Sequence, residues 1–487
     1  MRLIRIALLV SLALAVSGCG AKKDAATSGG AEIVPANTSA FVSIDSNLSS
    51  DQWQQVDELL RKFPIRSEAI ASLRAAMEED SGLDYEQDVE PALGDEIDFV
   101  WLDLAGGGSN VVAVTKPKDA DAFRRMIEQG NEKGGLDLVF EEQDGWFVLS
   151  DTQQKLDRFS EESASGEKLA DDTVYKDALA ELPEEALVHV YVRGESLVEP
   201  FQDFPGLTPP QLRADQKPEF LSAALSAEDS GFRLVGAGRT EAEPEAQIEP
   251  FESKFLSDVP ADAVAFLTFR GGEQFEQQLE EMKRDGSLDE GLDELERMLG
   301  FRVESLIDIL SHEVALYVRP GSPIPEVTLL VDAPDEQEVL GRVNATLRAL
   351  TRTLPTQPCQ APPEEAGVPV TCIDLGLVQL RTAAFDDKVV VTIGQDAISE
   401  LRGDGPRLSD DEDFTSASDA AGLPDETAGF VWVDLEDGLP LILGLAEVSG
   451  QSIPADIRAN LEPLGSFLAW AETDGRNGSF TAFLQID

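Results

Sequence analysis

Val34-Pro35-Ala36 with Ala40-Phe41 recurs as Val259-Pro260-Ala261 with Ala265-Phe266, each time opening a strand and leading into an acidic, Gln-rich helical pattern. Further on, Val111 to Thr115, Pro117 and the helix through Phe123 correspond to Thr328 to Asp332, Pro334 and Leu340. Asp144 to Ser150, then Gln153, Leu156 and Phe159, corresponds to Asp386 to Thr392, then Gln395, Ile398 and Leu401. Leu169-Ala170-Asp171-Asp172 with Tyr175 corresponds to Leu408-Ser409-Asp410-Asp411 with Phe414, and Leu182-Pro183-Glu184-Glu185 to Leu423-Pro424-Asp425-Glu426. Matches that keep one order over so long a chain mark an internal duplication.

Within each copy, alternating runs come in pairs, such as Ile97 to Leu104 and Val111 to Thr115 across Gly106-Gly107-Gly108. Paired strands joined by short turns are antiparallel. The segment Ala120 to Glu128 sets Ala122, Phe123, Met126 and Ile127 on one helical stripe, which must lie against a sheet. The expected fold is therefore α+β: two tandem diverged repeats, each an antiparallel sheet with helices mainly on one face. The acidic stretch Glu241-Ala242-Glu243-Pro244-Glu245-Ala246 has no apolar period. It places module one at 34–241, a linker at 242–252 and module two at 253–487. Matched positions are 217 apart at Pro117 and Pro334 but 242 apart at Asp144 and Asp386, so copy two has gained about 25 residues. The insertion falls at 351–375 and holds Cys359 and Cys372.

The leader carries Arg2 and Arg5, an apolar run from Ile6 to Val16, and then Ser17-Gly18-Cys19. A run of this length suits a signal peptide, whereas a spanning helix needs roughly twenty apolar residues. Small residues before a cysteine thiol resemble the lipobox of bacterial lipoproteins. That resemblance implies a signal peptide at 1–18, a diacylglycerol and palmitate anchor on Cys19, and an extracytoplasmic protein held at the outer face of a membrane. Residues 19–33 read as a flexible tether. The later apolar run from Leu439 to Ala446 is interrupted by Pro440 and Gly444. In an oxidising compartment Cys359 and Cys372 are expected to pair, closing a loop worth roughly 3 kcal/mol on the chain-entropy argument.

The formal charge of −55 over 487 residues repels phosphate backbones and excludes nucleic acid as a partner. At 42% hydrophobic the chain still builds real cores. The Val-Pro-Ala opening strand and the Leu-x-Asp-Asp-x-x-aromatic element resemble bacterial lipoproteins with the domain of unknown function 3352. The likeness covers most of the chain after the leader and implies no catalytic residue to carry over.

Reactive constellations are hard to assemble from what remains. The two histidines, His189 and His312, align with Phe430 and Asp95 of the other copy. His312-Glu313 lacks the second histidine of a metalloprotease helix, and two histidines cannot build the usual zinc sites. Gly108-Ser109-Asn110 and Gly321-Ser322-Pro323 lack the strand-nucleophile-helix setting of a hydrolase. Gly236-Ala237-Gly238 lacks the third glycine of a dinucleotide loop and stands in a strand-like run. Asp171, Asp172, Asp410 and Asp411 recur before helices and read as helix-capping acids ahead of cation binding or catalysis.

No cofactor, metal or enzymatic activity is expected. The leading expectation is a lipid-anchored envelope lipoprotein that presents two α+β modules for binding another envelope protein. The alternative is a carrier of a hydrophobic or lipid ligand in an apolar cavity, and a carboxylate-based hydrolase is the remote third.

Overall fold

The computed structural model describes residues 29–104, 108–133, 136–198, 217–244, 248–271, 309–322, 324–352, 354–359, 364–376, 378–448 and 450–487. Copy 1 runs β1 (Ala40–Asp45), α1 (Asp51–Leu60), α2 (Arg66–Ser81), β2 (Gly94–Trp101), β3 (Val111–Pro117), α3 (Ala120–Glu132), β4 (Val139–Gln143) and β5 (Trp146–Ser150). It continues through α4 (Gln153–Ser165), α5 (Thr173–Ala180), β6 (Val188–Arg193), β7 (Pro218–Glu228) and β8 (Gly231–Thr240). Copy 2 runs β9 (Ala265–Arg270), β10 (Glu313–Arg319), β11 (Glu326–Asp332), α6 (Glu336–Thr351), β12 (Glu364–Glu365), β13 (Val368–Pro369), β14 (Thr371–Asp374), β15 (Gln379–Phe385) and β16 (Lys388–Thr392). After these come α7 (Ala397–Arg402), α8 (Glu412–Ala421), β17 (Gly429–Asp434), α9 (Leu435–Val448), α10 (Ala455–Leu461), β18 (Leu464–Asp474) and β19 (Asn477–Ile486).

Apart from the small β12–β13 hairpin, these strands form one antiparallel sheet in the spatial order β4-β5-β3-β2-β1-β6-β7-β8-β19-β18-β17-β9-β10-β11-β16-β15-β14. Up to β14 that order is a palindrome. The β7–β8 and β18–β19 hairpins have equal strand and turn lengths, and Val235 pairs with Thr481, its own counterpart. A pseudo-twofold axis therefore passes between β8 and β19, and the two modules share a seam instead of standing apart. Arg233 crosses that seam: its Nη1 donates to Ala421 O at 2.6 Å and its guanidinium lies 4.9 Å from the Phe483 ring. On the same seam Lys62 Nζ donates to Ile486 O at 2.6 Å, and Ile65 N to Asn460 Oδ1 at 2.8 Å.

Register carries the duplication down to single residues. Phe41 pairs with Val100 and Tyr191, and Phe266 pairs with Tyr317 and Trp432. His189 stands opposite Ser43 as Phe430 stands opposite Thr268. Leu169 N donates to Val34 O at 2.8 Å, and Leu408 N to Val259 O at 2.9 Å. Tyr175 meets Tyr191 edge-on at 5.2 Å between centroids, as Phe414 meets Trp432 at 5.4 Å. These ring contacts fix where the Asp-Asp helix docks.

Helices cover both faces of the sheet instead of lying mainly on one. In copy 1, Trp53, Leu59, Phe123 and Ile127 pack with Phe99 and Phe147 on one side, while Leu156, Phe159 and Tyr175 pack with Phe41, Val100 and Val148 on the other. Copy 2 repeats the division, with Ile398 and Phe414 over Phe266 and Val390, and Val339, Leu340 and Val343 beside Val331 and Val389. The cause is in the strands. Val111 to Thr115 and Trp146 to Ser150 are buried without alternation, so each needs apolar cover on two sides.

Boundaries also move. The segment expected as a tether through residue 33 is folded from Gly29, where Gly29–Glu32 form a 3₁₀ helix and Ala31 is fully buried. Gly29 sits so close to Glu96 and Trp146 that an added Cβ would lie 2.9 Å from Glu96 Oε1, and Ile33 O accepts from Ser163 Oγ at 2.6 Å. The expected linker to residue 252 is anchored at Phe251, which is buried, bridges Thr427 and lies 4.6 Å under the Arg270 guanidinium. The expected loop at 351–375 starts at the last residue of α6 and ends just past β14, which adds an outer strand beside β15. The apolar run at Leu439 lies in the helix α9, and no helix among the described residues is long and apolar enough to cross a membrane.

Candidate functional site

The seam carries the most distinctive open surface. Along β6, β7, β8 and β19, Val190, Val192, Leu221, Ala223, Gly236, Gly238 and Phe480 line a groove of about 580 Å³. The opposite face of the same strands is closed, with Ala224 and Ala237 packed against Leu182. Leu221 and Phe480 remain 43% and 46% exposed, high values for side chains of that size on a sheet interior. Gly236 is what lets Phe480 lie flat, because a Cβ there would come within 2.0 Å of the ring. The counterparts of Gly236 and Gly238 across the axis are Ala482 and Leu484, so the hollow belongs to one side of the seam.

Around the groove lie the turn from Thr473 to Asn477 and the residues Pro244 and Ile248. Thr473 Oγ1 donates to Ile248 O at 2.8 Å and pins the two together. Two arginines contribute to the lining, with the Arg239 guanidinium turned to the closed face over the Phe220 ring. Arg239 donates to Glu219 and Asp177, and Arg476 to Thr240 O and Glu219.

Apart from Gly236-Ala237-Gly238, which the sequence offered only as an incomplete dinucleotide loop, the residues singled out from the sequence fall elsewhere and do not converge on the groove. Cys19 lies outside the described residues. Cys359 and Cys372 form a disulfide with Cα atoms 6.1 Å apart in the insertion of copy 2. Capping is done by the second acid of each pair alone. Asp172 Oδ1 accepts from Val174 N and Tyr175 N at 2.7 and 3.0 Å, and Asp411 Oδ1 from Asp413 N and Phe414 N at 3.1 and 3.0 Å. Asp171 and Asp410 end the preceding 3₁₀ turns, one position too early for a side-chain oxygen to reach the free amides of the helix. Burial opposes ionisation of Asp172, but the Arg193 hydrogen bond and the two amides outweigh it and hold the carboxyl below its ordinary range.

His189 Nε2 is 2.8 Å from Pro183 O, and His312 is exposed just before β10. No group of three or more His, Cys, Asp or Glu side chains able to hold a metal occurs among the described residues. Two acids outside the groove are electrostatically unusual. Burial pushes Asp45 up to about 6 against hydrogen bonds from Ser50 and Asn47, and burial, aided by Asp437 and Asp413, pushes Asp434 up to about 6.

The groove residues escaped the sequence reading because their exposure follows from which strands meet at the seam. Gly236-Ala237-Gly238 was the available signal, as glycines at alternate positions of a strand mark one face open to close approach.

Fold and groove together define a duplicated α+β protein whose two modules are fused edge to edge into one antiparallel sheet. The chain belongs to the family described as protein of unknown function (DUF3352), whose model matches residues 3–158 and 143–485. No curated protein matches it. Among solved structures, crystal forms III, IV and I of TP0453 are similar at 14%, 13% and 7% identity, covering 47%, 47% and 45% of this chain and 79%, 79% and 81% of that one, with a TM-score of 0.24 in each.

Proposed function

We propose that the chain is an exported, non-enzymatic envelope lipoprotein, held at the outer face of a membrane by an acylated Cys19, and that it binds another envelope protein through the seam groove. The observation that carries the reading is the groove itself: an apolar floor with Leu221 and Phe480 left open to solvent, on strands whose opposite face is packed. Open apolar surface ringed by polar residues is the ordinary mark of an interaction site. The leader supports the anchor, since Cys19 follows an apolar run and two small residues.

Two measurements test it. Cys19→Ser should leave a soluble or uncleaved precursor on detergent partitioning, and a correctly cleaved variant that still partitions into detergent sinks the anchor. Native mass spectrometry of the protein from its own membrane should show a defined protein partner. The groove volume also suits a small apolar ligand, so a co-purifying lipid in place of a protein moves the reading to a carrier.

A further inference from the structure

We infer that the Cys359–Cys372 disulfide is a redox-sensitive clamp, which holds Leu354 to Cys359 against the last strand of the sheet and on reduction frees that segment and uncovers the strand's edge. β14 is the outermost strand on the copy 2 side. Leu375 N donates inward to Val378 O at 2.9 Å, so by alternation Asp374 and Cys372 turn their backbone groups outward, away from β15. On that outer side Gln357 N donates to Asp374 O at 2.9 Å in an isolated antiparallel bridge. Continuing the register by two residues sets Cys359 opposite Cys372, where the disulfide closes with 6.1 Å between Cα atoms. Pro358, between Gln357 and Cys359, faces away from β14 by the same alternation, and it has no amide to offer a further strand. The segment is therefore a guard on an edge that would otherwise template pairing. Copy 1 meets the same problem at its own outermost strand, β4, with two charged residues, Glu141 and Glu142.

What holds the guard decides whether it opens. Leu354 to Pro358 are all exposed, Leu354 at 49%, so apolar burial does not tie them down. The Gln357 hydrogen bond lies at a solvent-facing edge, where water replaces it at little cost. Its neighbours are fixed. Thr351 is buried at the end of α6, Val368 is 3% exposed in the core of copy 2, and Glu365 accepts from the Arg381 guanidinium, from Ser399 N at 2.9 Å and from Ser399 Oγ at 2.8 Å. Opening is thus confined to the guard, and the rest of the insertion stays docked. Both cysteines are partly exposed, and the reductant is a dithiol. One of its thiolates attacks Cys359 Sγ, the bond between the two sulfurs breaks, and Cys372 leaves as a thiolate that takes up a proton. The second thiolate then displaces Cys359 from the mixed disulfide, so that two electrons pass to the pair, Cys359 is protonated in turn, and the dithiol ends as its own disulfide.

The test is hydrogen–deuterium exchange of the full chain, read by mass spectrometry before and after dithiothreitol, with thiol counting on the folded protein to show that the bond has been reduced. Reduction should speed exchange of the Gln357 amide about tenfold, leave the peptide around Val368 unchanged, and reverse on reoxidation. Cys359→Ser with Cys372→Ser should show the released rate without any reductant. Reversible reduction of the unaltered chain carries the test alone where that variant fails to fold. A Gln357 amide that exchanges at the same rate after complete reduction overturns the clamp. A bond that dithiothreitol leaves intact in the folded chain overturns its redox sensitivity. Faster exchange that spreads to Val368 and the strands beneath it overturns the confined opening, because the disulfide would then be a staple of the whole insertion.

Discussion

Copy 1 ends β1 with Asp45 and β6 with Arg193; at the same register positions copy 2 ends β9 with Arg270 and β17 with Asp434. Acid and base have changed places between copies, whereas Glu96 and Glu313 are both acids at matched positions and both accept from the backbone of a 3₁₀ turn, Gly30 N at 3.0 Å and Lys254 N at 3.3 Å. The contrast shows what the module must keep. A side chain that satisfies buried backbone amides is held in place, because leaving them unpaired costs about 1–3 kcal/mol each. Charges at strand ends can trade sign when each finds a local partner.

The sharpest test of equivalence is Phe41→Ala against Phe266→Ala. Both rings are almost fully buried at the same position, so each loss should cost about 3–5 kcal/mol. Denaturant unfolding followed by tryptophan fluorescence measures it, and a difference between the two of more than half that cost would show that the copies do not carry equivalent cores. Next in size is the insertion, which has no counterpart in copy 1. Cys359→Ser with Cys372→Ser should lower stability by at most about 3 kcal/mol. Thiol counting under denaturing conditions comes first, and two free thiols in the purified chain would remove the basis of the prediction. Arg381 and Ser399 also grip Glu365 of the insertion, so the reduced loop should stay docked.

The strand-end acids give a pH dependence. Asp45 and Asp434 have folded-state values raised to about 6 from 3.8, so the folded chain holds their protons more tightly than the unfolded chain. Their contribution is present below about pH 4 and is lost as pH rises through 6, amounting to about 2 kcal/mol each after allowance for partial exposure. Asp45→Asn and Asp434→Asn should each flatten the stability profile between pH 4 and 6, and an unchanged slope in both would refute the assignment. The smallest effect is at the caps. Asp411→Ala should cost about 1 kcal/mol. Asp172→Ala should cost somewhat more, since it also strips Arg193 of its carboxylate partner, and equal losses in thermal melts would argue that the Arg193 pair contributes nothing.

The duplication was legible because its motifs sit where backbone bonds tie loop to loop. Val34 and Val259 accept from Leu169 and Leu408, which is why Val-Pro-Ala and Leu-x-Asp-Asp recur together. Strand pairing within a copy was legible from short turns and alternation. The second helical layer was not, although the unbroken burial of Trp146 to Ser150 could have announced it. The β8–β19 joint left no mark in periodicity, since a strand that pairs on one side and a strand that pairs on both carry the same apolar alternation. Gly29 to Ile33 was misread because small residues resemble a linker whether they are solvated or pressed against a tryptophan.

The palindromic order also has a consequence for how the chain is made. β8 is complete at Thr240, but its outer neighbour is Asn477 to Ile486, so a growing chain carries copy 1 with an unpaired strand edge for the whole time copy 2 is being synthesised. Such an edge invites pairing with the same edge of another nascent chain, and the near-symmetry of the native joint makes a second β8 a plausible impostor for β19. Arg233 near the start of that strand, bonded in the finished fold to the end of α8, is a charge that two β8 strands would both have to accommodate, which disfavours the wrong partner until the right one arrives.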